Sequence, residues 1–216
     1  MKNKEVYNWF GDFFEKRGFK IHGRYIIKTN NSSVFAFSFE CTNTNSVYFR
    51  YAYFPLFIPE DHFHYAYGGR LEQIVTGNTS LCMPYETDVS INKWVDLVKK
   101  TVDCRILPFF SKISNPYNLQ SMLIHKSPEE FKGSVLSKYK LLIYLCVMLG
   151  NPPRDLTFLV NKAIYEINKS QISDSIKYKF EADINALISI TFINEEKRIE
   201  YFRTIIDSTK KMVFGL

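Results

Sequence analysis

The sequence has no CxxC pair, and Cys41, Cys82, Cys104 and Cys146 stand far apart along the chain. That spacing speaks against a zinc ribbon. Cys41 and Cys146 lie inside apolar runs, where a free cysteine behaves as a small hydrophobe. Long hydrophobic runs are also missing. The longest, Leu141–Leu149, falls well short of the roughly 20 residues that a membrane span requires. The opening residues are amphipathic and charged, unlike a signal peptide. With the scattered thiols this predicts a soluble, cytoplasmic protein and no membrane partner. Dense basic runs are absent as well. The net charge of +6 divides into a surplus of two in residues 1–110 and four in the remainder. Nucleic-acid binders gather their charge on a face or stripe, so no nucleic-acid partner is expected. There is no GxSxG, no GxGxxG and no Walker loop, and neither an internal repeat nor a low-complexity segment.

What the chain does have is aromatic residues, at 16% of the total, with 19 Phe and 14 Tyr. They concentrate between Ser33 and Arg70, and they alternate. Phe35, Phe37 and Phe39 share one side of an extended chain, with Val34, Ala36 and Ser38 on the other. Val47, Phe49, Tyr51 and Tyr53 repeat the pattern, with Tyr48, Arg50 and Ala52 opposite. Phe19 to Lys28 reads as a first strand, or a pair broken at Gly23. Short polar turns join these segments, which predicts an antiparallel meander. Upstream, Trp9, Phe10, Phe13 and Phe14 form the apolar stripe of a helix that can cover it.

Downstream the periodicity becomes helical. A helix is predicted from near Ser90, kinked or ended at Pro108. Asn115-Pro116 and Asn194 read as helix starts, and Ser127-Pro128-Glu129-Glu130 as a capping box. The run before Gly150 is apolar all round, so its helix should sit centrally among others. The expected fold is α+β: an N-terminal helix plus an antiparallel meander in residues 1–111, then a mainly helical half, residues 112–216, packed on it.

The segment from Glu60 to Arg70, EDHFHYAYGGR, is the most unusual in composition. Glu60, His62 and His64 would project together from an extended backbone, and such groups can bind a transition metal. The histidines lack a third strong ligand, however, and the expectation is no metal and no cofactor. Gly68-Gly69 reads as a tight turn. His62, His64, Tyr65, Tyr67 and Arg70, with Arg50 from the neighbouring strand, form the candidate binding patch. Tyrosine and arginine combine a large contact area with a polar tip, and guanidinium groups recognise carboxylates bidentately. The patch is expected to border a concave surface for an acidic group, on a protein partner or a small ligand. The competing expectation buries Tyr65 and Tyr67 and ties Arg70 to Glu40, Glu60 or Glu72. Arg24 joins Arg50 and Arg70 in a possible constellation of cations.

The first half of the chain also resembles the bacterial domain of unknown function 4304. The residues that carry the resemblance are the amphipathic first helix, Gly18-Phe19-Lys20, Gly23-Arg24-Tyr25, Phe37-Ser38-Phe39, Pro55-Leu56-Phe57-Ile58-Pro59 and the Trp94 helix leading into Pro108-Phe109-Phe110. They span about residues 5–115. The sequence departs from the family at Ile26-Ile27, and its helical half lies outside the resemblance. The resemblance implies an α+β fold and supplies no catalytic residues. The functional expectation is a non-enzymatic binding protein, immunity-like or regulatory. The alternative is a metal- or anion-dependent enzyme with its site at residues 60–70.

Overall fold

The computed structural model describes residues 3–41, 47–60, 67–71, 88–125, 135–170 and 172–215. The capping-box segment, and His62, His64 and Tyr65 of the candidate patch, lie outside them. The fold is α+β, with an N-terminal helix, a five-stranded antiparallel sheet and a mainly helical C-terminal half. The chain divides into two compact units, Met1–Phe54 with Tyr67–Lys112, and Pro55–Ala66 with Ile113–Leu216. A single cut between residues 111 and 112 therefore misses one exchange, because the segment after the fourth strand groups with the helices.

In the first unit, α1 (Asn3–Glu15) precedes strands β1 (Lys20–His22), β2 (Tyr25–Thr29), β3 (Ser33–Cys41), β4 (Val47–Pro55) and β5 (Tyr67–Arg70). The strands lie side by side in chain order. Paired residues share a face of an antiparallel sheet, and the register sets Ile26 opposite Phe37, Tyr67 opposite Tyr53 and Gly69 opposite Tyr51. The alternation of the sequence thus becomes one continuous aromatic face. Phe35, Phe37, Phe39, Val47, Phe49, Tyr51 and Tyr53 are all buried. The first helix covers this face. Phe14 meets Phe37 at 4.7 Å between ring centroids, and Phe10 stacks on Phe39 at 5.2 Å. These are favourable ring separations, and each such pair adds roughly 0.5–1.5 kcal/mol to the burial of its area.

The cover continues in α2 (Asp88–Thr101), a π-helix (Val102–Ile106) and α3 (Leu107–Ile113). Pro108 neither ends nor breaks this helical run. In an unbroken α-helix its ring would strike the carbonyl of Cys104 four residues back. Here the Leu107 N–H reaches the Val102 carbonyl, five residues back, so the turn before the proline is wider. Phe110 then stacks on Phe35 at 4.4 Å. Arg17, in the turn that follows α1, binds Asp103 of the π-helix through two bonds of 2.6 and 2.7 Å.

The sequence reads Gly68-Gly69 as a tight turn, and the structure corrects this. Both glycines lie within β5, and neither has a positive φ. The demand at Gly68 is close approach instead. A Cβ there would lie 2.4 Å from the Tyr51 carbonyl oxygen, so any side chain would push β5 off β4.

The second unit is built of α4 (Pro116–His125), α5 (Val135–Met148), α6 (Pro153–Lys169), α7 (Asp174–Ile190) and α8 (Glu195–Phe214). Asn115 and Asn194 cap α4 and α8, accepting from the Tyr117 and Lys197 amides, both at 2.9 Å. Every residue from Leu141 to Val147 is buried, and α5 touches α4, α6, α7 and α8. An all-round apolar helix has taken the central place. Among the described residues, no helix is long and apolar enough to cross a membrane.

Between α5 and α6, Gly150 has a φ of 69°, and a Cβ there would fall 2.5 Å from the Arg198 guanidinium. Two substitutions test these packing arguments. Phe37→Ala should lower stability by about 3–5 kcal/mol in a denaturant titration; a loss below about 1 kcal/mol would reject the aromatic face as the core. Gly150→Ala should cost roughly 1–3 kcal/mol by thermal melting. Adding Arg198→Ala should recover part of that loss, and strict additivity of the two would show that the close approach is not felt.

Candidate functional site

The aromatic residues of β3 and β4 fix what the other face of the sheet carries. By the same alternation, that face holds Ser38 and Glu40 from β3, Tyr48 and Arg50 from β4, and Arg70 from β5. Register then completes the site. Arg50 and Arg70 are direct partners across the β4–β5 pair. Two like charges directly opposite would repel, and an anion between them relieves this. Glu40 is that anion. Its Oε2 accepts from Arg50 Nε at 2.8 Å, lies 2.7 Å from Arg50 Nη2, and accepts from Arg70 Nη2 at 3.1 Å. The Arg70 guanidinium lies over the Tyr48 ring, 3.9 Å from its centroid. All three ionic side chains keep about a third of their surface in solvent, from 27% for Arg70 to 42% for Glu40.

Burial on its own would raise the Glu40 carboxyl. The hydrogen bonds and charges of Arg50, and after them those of Arg70, outweigh it and hold the group below its ordinary value. The cluster is therefore an ionised carboxylate gripped by two guanidinium groups.

The remaining patch residues are placed differently. Tyr67 is buried on the aromatic face, its ring 5.4 Å from Phe109, and so does not stand beside Arg70 on the outer face. Glu60, where the patch begins, binds Lys140 of α5 at 3.2 Å, and Lys140 also lies 3.9 Å from Asp183 of α7. Arg24 sits in the β1–β2 turn, two strands or more from β5. Its Nε donates to the Tyr25 hydroxyl at 2.9 Å, and its carbonyl accepts from the Tyr7 hydroxyl. It is not part of the cluster. The structure thus brings together Arg50 and Arg70 and leaves Arg24 and Tyr67 elsewhere. Sequence reasoning named Glu40 only as one possible ion-pair partner and gave Tyr48 no role. The parity of Glu40 with Ser38, and of Tyr48 with Arg50, is the signal that places both on this face.

Two buried groups of the helical unit are shifted away from ionisation. The buried Cys146 thiol is pushed up to about 11, first by burial and then by the Asp155 carboxylate, so it stays protonated at neutral pH. Tyr144 is raised by burial, and further by Tyr201, Asp183 and Glu60. Among the described residues, no group of three or more His, Cys, Asp or Glu could hold a metal ion.

The Glu40 pair predicts a pH dependence. A carboxyl held below its unfolded-state value stabilises the fold above that value, and loses this contribution as pH falls through its folded-state value. Glu40→Gln should therefore be less stable than wild type at neutral pH, and the difference should close on acidification. Urea titrations of both proteins across the acid range check this; a difference that stays constant would mean that Glu40 is not ionised in the cluster.

No family model, no curated protein and no solved structure matches this chain.

Proposed function

We propose that the chain is a non-enzymatic binding protein, immunity-like or regulatory, that grips an acidic group of a protein partner through Arg50 and Arg70. One observation carries this reading: two guanidinium groups stand side by side on a part-exposed sheet face and already converge on a carboxylate. Guanidinium forks match carboxylate geometry, and rigid strands remove much of the ordering cost of arginine side chains. Tyr48 beneath Arg70 adds an aromatic platform of the kind that dominates interface hot spots. His62, His64 and Tyr65 of the sequence patch lie outside the described residues, and the proposal does not rest on them. The resemblance to the bacterial domain of unknown function 4304 is carried by the sequence motifs of about residues 5–115 alone. A cytoplasmic location agrees with free thiols at Cys104 and Cys146.

The test is affinity capture from native lysate with three folded proteins: wild type, Arg50→Gln/Arg70→Gln, and Glu40→Gln. Glu40 competes with an incoming carboxylate, so its neutralisation should enrich the bound partner, while the double arginine variant should lose it. Raising the salt concentration should weaken the wild-type interaction. Equal recovery of the same partners by all three proteins would reject the site.

A further inference from the structure

The hydrogen bonds of the sheet cluster crowd onto a single atom. Arg50 Nε, Arg50 Nη2 and Arg70 Nη2 all meet Glu40 Oε2, at 2.8, 2.7 and 3.1 Å. A guanidinium carries five N–H donors in a planar fork. Among the described residues, Arg70 donates one hydrogen bond, the one to Glu40, while its plane rests on the Tyr48 ring. Most of its fork therefore faces solvent and no protein acceptor. Two guanidinium charges against one carboxylate also leave the cluster positive. Arg24 adds to this from outside the cluster. Its guanidinium bonds the Tyr25 hydroxyl, and Tyr25 is the register partner of Ser38, two residues from Glu40 on the same face. Among the described residues, no carboxylate pairs with Arg24.

This arrangement discriminates between acidic groups. A carboxylate brought by a partner has the same charge and the same oxygens as Glu40. Glu40 is already tethered beside both arginines, and a tethered competitor has a high effective concentration. Such an exchange is like for like, and the incoming group loses it. A phosphate monoester carries a charge of about −1.5 to −2 at neutral pH and three acceptor oxygens. It can meet the two forks with different oxygens and engage the donors that Glu40 leaves open. Glu40, at 42% exposure, has solvent to turn into.

Resting on the reading of Arg50 and Arg70 as the partner-binding site, we infer that the acidic group they take is a phosphate monoester on a side chain of the protein partner. Glu40 is then the resident anion that keeps ordinary aspartate and glutamate side chains out. The surplus positive charge of the face is matched by a dianion and only half matched by a carboxylate.

The test is an NMR titration of the full chain that follows the Nε–Hε signals of Arg50 and Arg70. The probes are the capped peptide Ala-Ala-phosphoserine-Ala-Ala, the same peptide with glutamate in place of phosphoserine, and inorganic phosphate. The phosphopeptide should shift both signals saturably, and the glutamate peptide should bind at least about tenfold more weakly. Inorganic phosphate should also bind more weakly than the phosphopeptide. Glu40→Gln should tighten the glutamate peptide more than the phosphopeptide, and Arg70→Gln should weaken the phosphopeptide about tenfold. A glutamate peptide that binds wild type as tightly as the phosphopeptide would overturn the phosphate assignment and leave the carboxylate reading standing. So would binding of the glutamate peptide to Glu40→Gln when the phosphopeptide binds neither protein. Inorganic phosphate as tight as the phosphopeptide would overturn the assignment to a protein side chain. No shift with any probe, in wild type or in Glu40→Gln, would overturn both readings.

Discussion

The first unit depends on the contact between the aromatic face of the sheet and the helix stripe of Phe10 and Phe14. A meander joined by short turns has no means of closing on itself. Its inner face must be covered, and here rings meet rings. Phe14 touches Phe19, Phe37 and Phe49, while Phe10 touches Phe39, Phe49 and Trp94. Each ring of the helix thus bridges at least two elements. That redundancy fixes the helix over β3 and β4, and it also fixes which side of every strand is left for other work.

The arginine cluster follows from that constraint. With Phe39 and Phe49 turned inward, Glu40, Tyr48 and Arg50 must turn outward. Once β5 pairs with β4, Arg70 falls opposite Arg50. No loop has to search for this geometry, because it is printed by strand parity and register. A site assembled in this way is rigid to the extent that the sheet is rigid. Its guanidinium groups are held on Glu40 by the strand pairing itself.

Legibility in the sequence varied with the range of the interaction. Strand alternation, helix stripes and asparagine caps are encoded within a few residues, and the α+β architecture, the buried phenylalanines and the central α5 could be read directly. The fifth strand could not, because Gly68-Gly69 carries no pattern and is required by the carbonyl of a neighbouring strand rather than by its own backbone. Arg50 and Arg70 were recognised as a pair of interest, but their meeting on Glu40 needed the β4–β5 register. Gln120 is an ordinary polar residue in the sequence until folding removes it from water.

The π-helix has a consequence for how the covering helices face the sheet. Val98, Val102, Ile106 and Phe110 are all buried, and they recur every fourth residue. On an ideal α-helix such a repeat drifts by roughly 40° per step, because four residues exceed one turn. Over three steps Phe110 would have rotated well away from the side that holds Val98. The wider turn absorbs that drift and acts as a phase corrector between two helices that must present the same side. The segment is thus the place where one extra residue is accommodated: with a single residue removed there, an unbroken α-helix would carry Phe110 eleven residues from Val98, only about 20° past three full turns, and would keep its side toward Phe35.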